Sequence, residues 1–220
     1  MSDAKDKKVF RFAGEKVDAL WDGRLCIHVG ECTRAKGGLF ESGRDPWGKP
    51  DEGEADYVAE VVRRCPSGAL WVERKDGGAA ESAPDENVAV IANNGPIYLS
   101  GDLDIDGAVD DMPAVRYRAA LCRCGDSKNK PFCDNSHEKA GFVDRGAVGE
   151  TGGGFESAGG PLEVSRAPNG PLLVNGNLTI RSAAGRPTWR GTKAALCRCG
   201  KSRNKPFCDG SHKDAGFSAD

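Results

Sequence analysis

Nine cysteines and three histidines are the residues of this chain best suited to hold metal, and they are clustered. The cysteines form three groups of three: Cys26, Cys32 and Cys65; Cys122, Cys124 and Cys133; Cys197, Cys199 and Cys208. His137 and His212 each follow the last thiol of their group by four residues, so Cys-x-Cys-x8-Cys-x3-His is written twice, as CRCGDSKNKPFCDNSH and CRCGKSRNKPFCDGSH. Thiolates two apart on an extended segment can reach one iron. The third Cys and the His, four apart on a helical turn, can reach a second iron about 3 Å away, a cluster dimension. That pattern suits a [2Fe-2S] rhomb. A tetrahedral Cys3His zinc site uses the same donors, but zinc ligands usually pair as C-x2-C, and C-x-C suits that poorly.

The first group can be laid on the ferredoxin run C-x2-C-x2-C…C-P. Cys26, Cys32 and Cys65-Pro66 fit, while Val29 stands where the second cysteine would be. A cube lacking one thiolate corner points to a [3Fe-4S] cluster, with a [4Fe-4S] cluster carrying a non-Cys fourth ligand as the competitor. His28 lies one position off the ligand slot and is expected beside the site rather than on the metal. Asp134 and Asp209 are expected to hydrogen-bond nearby backbone and so orient the ligands. Trp21, Trp47 and Trp71 are expected to form the core that shields the first site from water.

The elements that must position these residues are short. The second and third cysteine groups lie in a duplication of constant offset, 197 − 122 = 75, in which about half the positions from Gly95 to Phe142 recur from Gly170 to Phe217. Asn94-Gly95 and Asn169-Gly170 predict two-residue hairpin turns with positive φ at both positions. Ile97 to Ile105 and Leu172 to Ile180 predict strands broken by a bulge or a second turn at an internal Gly. Arg116 to Leu121 and Arg190 to Leu196 predict strands running straight into the cysteines, and Lys-Pro-Phe-Cys-Asp predicts a short helix opened by its proline. In the N-terminal part, Val9 to Phe12 and Val17 to Trp21 predict a hairpin. Val58, Val61, Val62 and Cys65 have helical spacing after an acidic start at Glu54 and Asp56, with Pro66 as the stop.

Composition narrows the function classes. Leu, Ile, Val and Phe make up roughly 18 % of the chain, low for a single large core. Thirty glycines favour turns over long helices, and a net charge of −2 gives no basic field for nucleic acid. No apolar run approaches a membrane span. An odd cysteine count and a polar stretch after Met1 lead to the expectation of reduced thiols in a cytoplasmic setting. We find no dinucleotide fingerprint, P-loop, Ser/His/Asp set or carboxylate pair, so the chain is expected not to be an enzyme.

Both repeated stretches resemble the CDGSH iron-sulfur domain of the mitoNEET type in its tandem form. The resemblance implies that Cys122, Cys124, Cys133 and His137 hold one [2Fe-2S] cluster, and Cys197, Cys199, Cys208 and His212 another. The first motif departs from the family at Asn135, where the second keeps Gly210. Residues 7 to 72 resemble the divergent mono-cluster ferredoxins, through Cys-Ile-His-x-Gly-x-Cys, Pro46-Trp47 and Arg-Arg-Cys-Pro-Ser-Gly-Ala-Leu at 63 to 70. The implied fold is small α+β and β-rich: a ferredoxin-like module (1–72), a linker (73–86), a CDGSH unit (87–142), a Gly-rich flexible linker (143–161) and a second unit (162–220), the two units pairing within one chain. The expected function is one-electron transfer to a redox partner protein. The alternative is a cluster donor to an apo-acceptor, or a redox or iron sensor whose His ligands acid can remove. No nucleic-acid or membrane partner is expected, and the chain should be a monomer.

Overall fold

A computed structural model describes residues 9–108 and 112–219; the polar N-terminal stretch before Val9 lies outside the described residues. The expected hairpin forms from β1 (Val9–Phe12) and β2 (Val17–Asp22), and β3 (Leu70–Arg74) completes an antiparallel sheet in the order β1-β2-β3. The hairpin is pinned by Asp18, which accepts from Gly14 N–H and from Arg11 and also pairs with Lys75. Helix α1 (Ala55–Arg63) follows the expected periodicity, with Asp56 in its first turn and Arg63 in its last. Its Val58, Val61 and Val62 are fully buried. Burial of each stabilises by about 1.5–3 kcal/mol relative to exposure, an upper bound because the unfolded chain already hides some of this area. The N–H of Cys65 still bonds to Val62 C=O, and Pro66 then prevents continuation.

The duplicated region supplies β4 (Val88–Ile91), β5 (Ile97–Ser100), β6 (Asp102–Ile105), β7 (Arg118–Leu121) and helix α2 (Ser136–Lys139), then β8 (Pro161–Arg166), β9 (Leu172–Arg181) and β10 (Pro187–Leu196). All seven strands lie in one sheet shared by both repeats, along β6-β8-β9-β4-β5-β7, with β10 paired to β9. Strands of the two repeats cross reciprocally. Parallel pairing puts Val88 of β4 beside Thr179 of β9, and the same pairing shifted by the repeat offset puts Glu163 of β8 beside Asp104 of β6. Ile91, Ile97 and Leu121 from the first repeat therefore share one core with Leu162, Leu172, Leu178 and Ile180 from the second. Leu25 and Ala69 of the N-terminal part join that core. Asn87, buried at the crossing, donates to Gly160 C=O and Asn177 C=O and accepts from Asp102 N–H. This satisfies polar backbone that the crossing would otherwise bury unpaired.

Two local expectations change, and one is met in both of its forms. The hairpin loops hold three residues rather than two, because Ala92 N–H bonds to Pro96 C=O, and Asn94 (φ 52°) takes the left-handed conformation while Gly95 does not. Asn94 Oδ1 also accepts from Asp144 N–H, as Asn169 Oδ1 does from Ala219 N–H, so these asparagines tie down the chain that leaves each cluster loop. Second, the glycine-bearing segments take the two expected forms, one in each repeat: the first breaks into β5 and β6, while β9 runs through Gly176 with a bulge against β10. Third, α2 starts at Ser136, well after Pro131, because Phe132 is drawn into the core beside Leu121 before the helix can begin.

The segment from Val143 to Gly160 has no helix or strand, yet it is no loose tether. Asp144 pairs with buried Arg123, Gly146 C=O accepts from Ala183 N–H, and Thr151 C=O accepts from Arg190 N–H. In the 73–86 segment Glu81 pairs with Arg118 and Glu86 with Arg181. Glu73 and Arg74 still end β3, but polar, Gly-rich composition kept the rest of these stretches out of the sheets without keeping them off the surface of both repeats.

Candidate metal centres

In each repeat a strand delivers the first two thiols and the turn after it brings the other donors back. Cys122 N–H bonds to Pro131 C=O, and Cys133 N–H to Ala120 C=O, both at 2.8 Å, closing the loop onto the end of β7. Cys122 Sγ then lies 3.7 Å from Cys124 Sγ, and Cys133 Sγ lies 3.4 Å from His137 Nδ1. The second repeat has the same spacing, 3.7 Å between Cys197 and Cys199 and 3.4 Å between Cys208 and His212 Nδ1. Two thiolates on one tetrahedral metal with bonds of about 2.3 Å stand about 3.8 Å apart, and a thiolate and an imidazole slightly closer. Each observed pair is therefore spaced as the edge of one metal's coordination shell. Among the described residues no three His, Cys, Asp or Glu side chains surround a single point as one ion would require. Each repeat's four donors therefore fall into two pairs.

The electrostatics suit thiolate bound to metal. Asp126 N–H and Asn135 N–H point at Cys124 and Cys133 Sγ at 3.4 Å, and Lys201 and Gly210 N–H do the same for Cys199 and Cys208. The hydrogen bond between Cys122 and Cys124 lowers the Cys122 thiol to about 6 and raises that of Cys124. Burial pushes the Cys133 thiol up to about 11. A bound metal must displace such protons, so binding weakens in acid.

Asp134 and Asp209 are where the sequence puts them, bracing the loop backbone. Asp134 accepts from Lys128 and Ser136 N–H, and Asp209 from Arg203 and Ser211 N–H. Burial acts against the Asp134 charge, but these donors hold its carboxyl below the usual range. Pro131, Phe132, Pro206 and Phe207 are buried packing residues. Sequence reasoning missed Arg123 and Arg198, the central residues of the two C-x-C pairs. Both are almost fully buried. Arg123 Nε donates to Gly95 C=O and Arg198 Nε to Gly170 C=O, so each guanidinium locks its cluster loop to its hairpin loop. Their recurrence at equivalent positions was the available signal. The two loops also meet: a side chain on Gly125 would strike Cys199 C=O, and one on Gly200 would strike Cys124 C=O.

Cys26, Cys32 and Cys65 line one cavity of about 630 Å³ with Phe12, Trp21 and Trp47. Burial, then the charges of Cys65 and Cys26, push the Cys32 thiol up to about 11. Val29 also borders the cavity and is 43 % exposed. His28 Nδ1 stands 3.8 Å from Cys26 Sγ, and Ser67 Oγ, which carried no sequence signal, stands 3.5 Å from Cys65 Sγ. The indole N–H of Trp21 is buried without an acceptor among the described residues. A cavity with three thiols and an unfilled donor fits a group rich in sulfide acceptors. Trp71 is elsewhere, packed with Leu20 and Ala114.

Comparison with known proteins supplies the family. Residues 94–138 and 169–213 each match the iron-binding zinc finger of CDGSH type, and residues 12–75 match the divergent 4Fe-4S mono-cluster domain. The chain belongs to the tandem CDGSH iron-binding proteins, with a divergent mono-cluster domain at its N-terminal end. Each CDGSH match contains its repeat's three cysteines and histidine, and the mono-cluster match contains Cys26, Cys32 and Cys65. The N-terminal domain is also similar to the uncharacterized protein YjdI of Escherichia coli K12, 42 % identical over 64 residues, which are 29 % of this chain and 84 % of the relative. The O157:H7 form matches equally well. No solved structure matches the chain. Membership makes this an iron-sulfur protein of small, mostly β architecture. No helix among the described residues is long and apolar enough to cross a membrane.

Proposed function

We propose that this CDGSH protein is a multi-cluster one-electron carrier. In this reading Cys122, Cys124, Cys133 and His137 hold one [2Fe-2S] cluster, and Cys197, Cys199, Cys208 and His212 a second. Cys26, Cys32 and Cys65 hold a [3Fe-4S] cluster, or a [4Fe-4S] cluster with a fourth, non-Cys ligand. When bound, such clusters supply reversible one-electron chemistry. The observation that carries the reading is the pairing of donors, 3.7 Å and 3.4 Å, at two equivalent loops. The chain's own part is to exclude water with Phe132, Phe207 and the aromatic wall of the first cavity, and to hold each thiolate under backbone N–H groups. The reading assigns no bond-making chemistry to the chain, a cytoplasmic place, and a redox protein as partner. The reciprocal β4–β9 and β6–β8 pairing supports an intrachain counterpart of a dimer.

A second reading, cluster donor or redox or iron sensor, draws on one observation: Cys122, Cys124 and Cys133 are buried while His137 is only half-buried. Acid reaches the imidazole first. Iron and sulfide analysis with visible and electron paramagnetic resonance spectra tests the common ground, with about seven irons per chain expected, or eight with a cubane. Stoichiometric zinc would overturn both readings. Reversible titration with a one-electron mediator at constant iron supports the carrier, whereas iron passing to an apo-acceptor supports the donor.

A further inference from the structure

The first repeat differs from the second on one face, and each difference meets the N-terminal domain. Asn135 stands where the second repeat has Gly210, and both backbones are left-handed, at φ 66° and 87°. Glycine is the least strained residue there, so the asparagine needs another reason. Its Nδ2 donates to Ile27 C=O at 2.8 Å, one residue from Cys26, and its own N–H points at Cys133 Sγ at 3.4 Å. The Ile27 side chain is buried against Ala120 and Cys133. Arg118, buried, donates to Cys65 C=O at 2.8 Å, whereas its counterpart Lys193 is exposed. Tyr98 is half-buried and packs against the cluster of Ile27, Ala120 and Cys133. Its counterpart Leu173 is 45 % exposed, and a side chain on Gly210 would meet nothing within 4 Å.

We propose that the N-terminal site and the first repeat's site are joined by a conduit from Cys26 through the Ile27 carbonyl and Asn135 to Cys133, along which one electron passes within the chain, Asn135 being its positioning residue. The inference rests on the carrier reading. The route has two covalent stretches, Cys26 to Ile27 and Asn135 from its Nδ2 to its N–H, and two hydrogen bonds, and the packing of Ile27 on Cys133 excludes water between them. In the transfer the N-terminal site is oxidised by one electron and the first repeat's site is reduced by one; no proton moves and no bond breaks. The electron enters from an external one-electron reductant.

The test uses the full chain with its clusters, after iron and sulfide analysis has shown all three sites filled; failure at that stage counts against the proposed function and not against the conduit. A photoreduced flavin radical delivers one electron, and absorbance follows its redistribution between the sites. Redistribution independent of protein concentration is expected. Redistribution that scales with concentration, or that is absent, overturns the conduit using the native chain alone. Asn135→Gly, which restores the second repeat's residue, should lose the fast phase at unchanged iron content, while Gly210→Asn keeps it. The dipolar splitting between the two reduced sites should stay unchanged in Asn135→Gly. A retained fast phase in Asn135→Gly, or a splitting lost along with it, overturns the role of Asn135, the second because it would then only hold the domains together.

Discussion

In each proposed repeat centre the imidazole is the donor that acid removes. An imidazole ligates only while the coordinating nitrogen is unprotonated, so the loaded form excludes a proton that the empty form takes up. Protons and metal therefore compete for that nitrogen, and the imidazole's share of the affinity falls as pH drops. His137→Cys or His212→Cys should slow the acid bleaching of that repeat's visible absorbance, and equal rates in both variants would remove the histidines from the coordination shell. Position 29 gives the matching test for the first site. Val29 borders the cysteine-lined cavity, so Val29→Cys should supply the missing thiolate corner and raise iron by about one per chain. Unchanged iron and an unchanged resonance signal would mean that the backbone does not turn position 29 toward the metal.

Single elements owe their stability to a few buried polar contacts. Burial opposes the Asp18 charge, but Lys75, Gly14 N–H and Arg11 together hold its carboxyl down to about 2. A depressed carboxyl contributes stability above its unfolded value of about 3.9, and that stability is lost as pH falls toward the folded one. Tryptophan fluorescence of the N-terminal domain should therefore report weakening from about pH 4 down to 2. Asp18→Asn should cost about 1–3 kcal/mol near neutrality and flatten that window. The cluster loops fail differently. Gly200 is left-handed at φ 76° and its Cα faces Cys124 C=O, so Gly200→Ala combines backbone strain with overlap. We expect about 2–5 kcal/mol of destabilisation, and iron lost from the first repeat although the change lies in the second. Thermal bleaching confined to the second repeat would contradict this.

For the molecule as a whole, the crossing strands decide the assembly. β4 pairs with β9 and β6 with β8 inside one chain, so the sheet edges that a pairing partner would use at these strands are already taken. The segment from 143 to 160 is fixed along both repeats, which favours the intrachain partner over a second copy. Sedimentation should give the mass of a single chain at micromolar concentration. A dimer that resists dilution would show that the repeats exchange strands between chains instead.

The sequence by itself determined the donor sets of the two repeats and their family. Cys-x-Cys-x8-Cys-x3-His lies within sixteen residues, so local backbone geometry almost suffices to pair its donors, and the constant offset guaranteed that both sites would be alike. The α1 periodicity and the first hairpin were legible for the same reason, being local patterns of burial. Tertiary structure decided which strands cross, why Asn94 rather than Gly95 turns left-handed, and why two arginines are buried between the paired cysteines of each loop. It also gave Asn135 a partner 108 residues away in Ile27. These depend on close packing between segments remote in the chain, where a side chain's direction is set by the polar groups left unpaired nearby. No local pattern records that information.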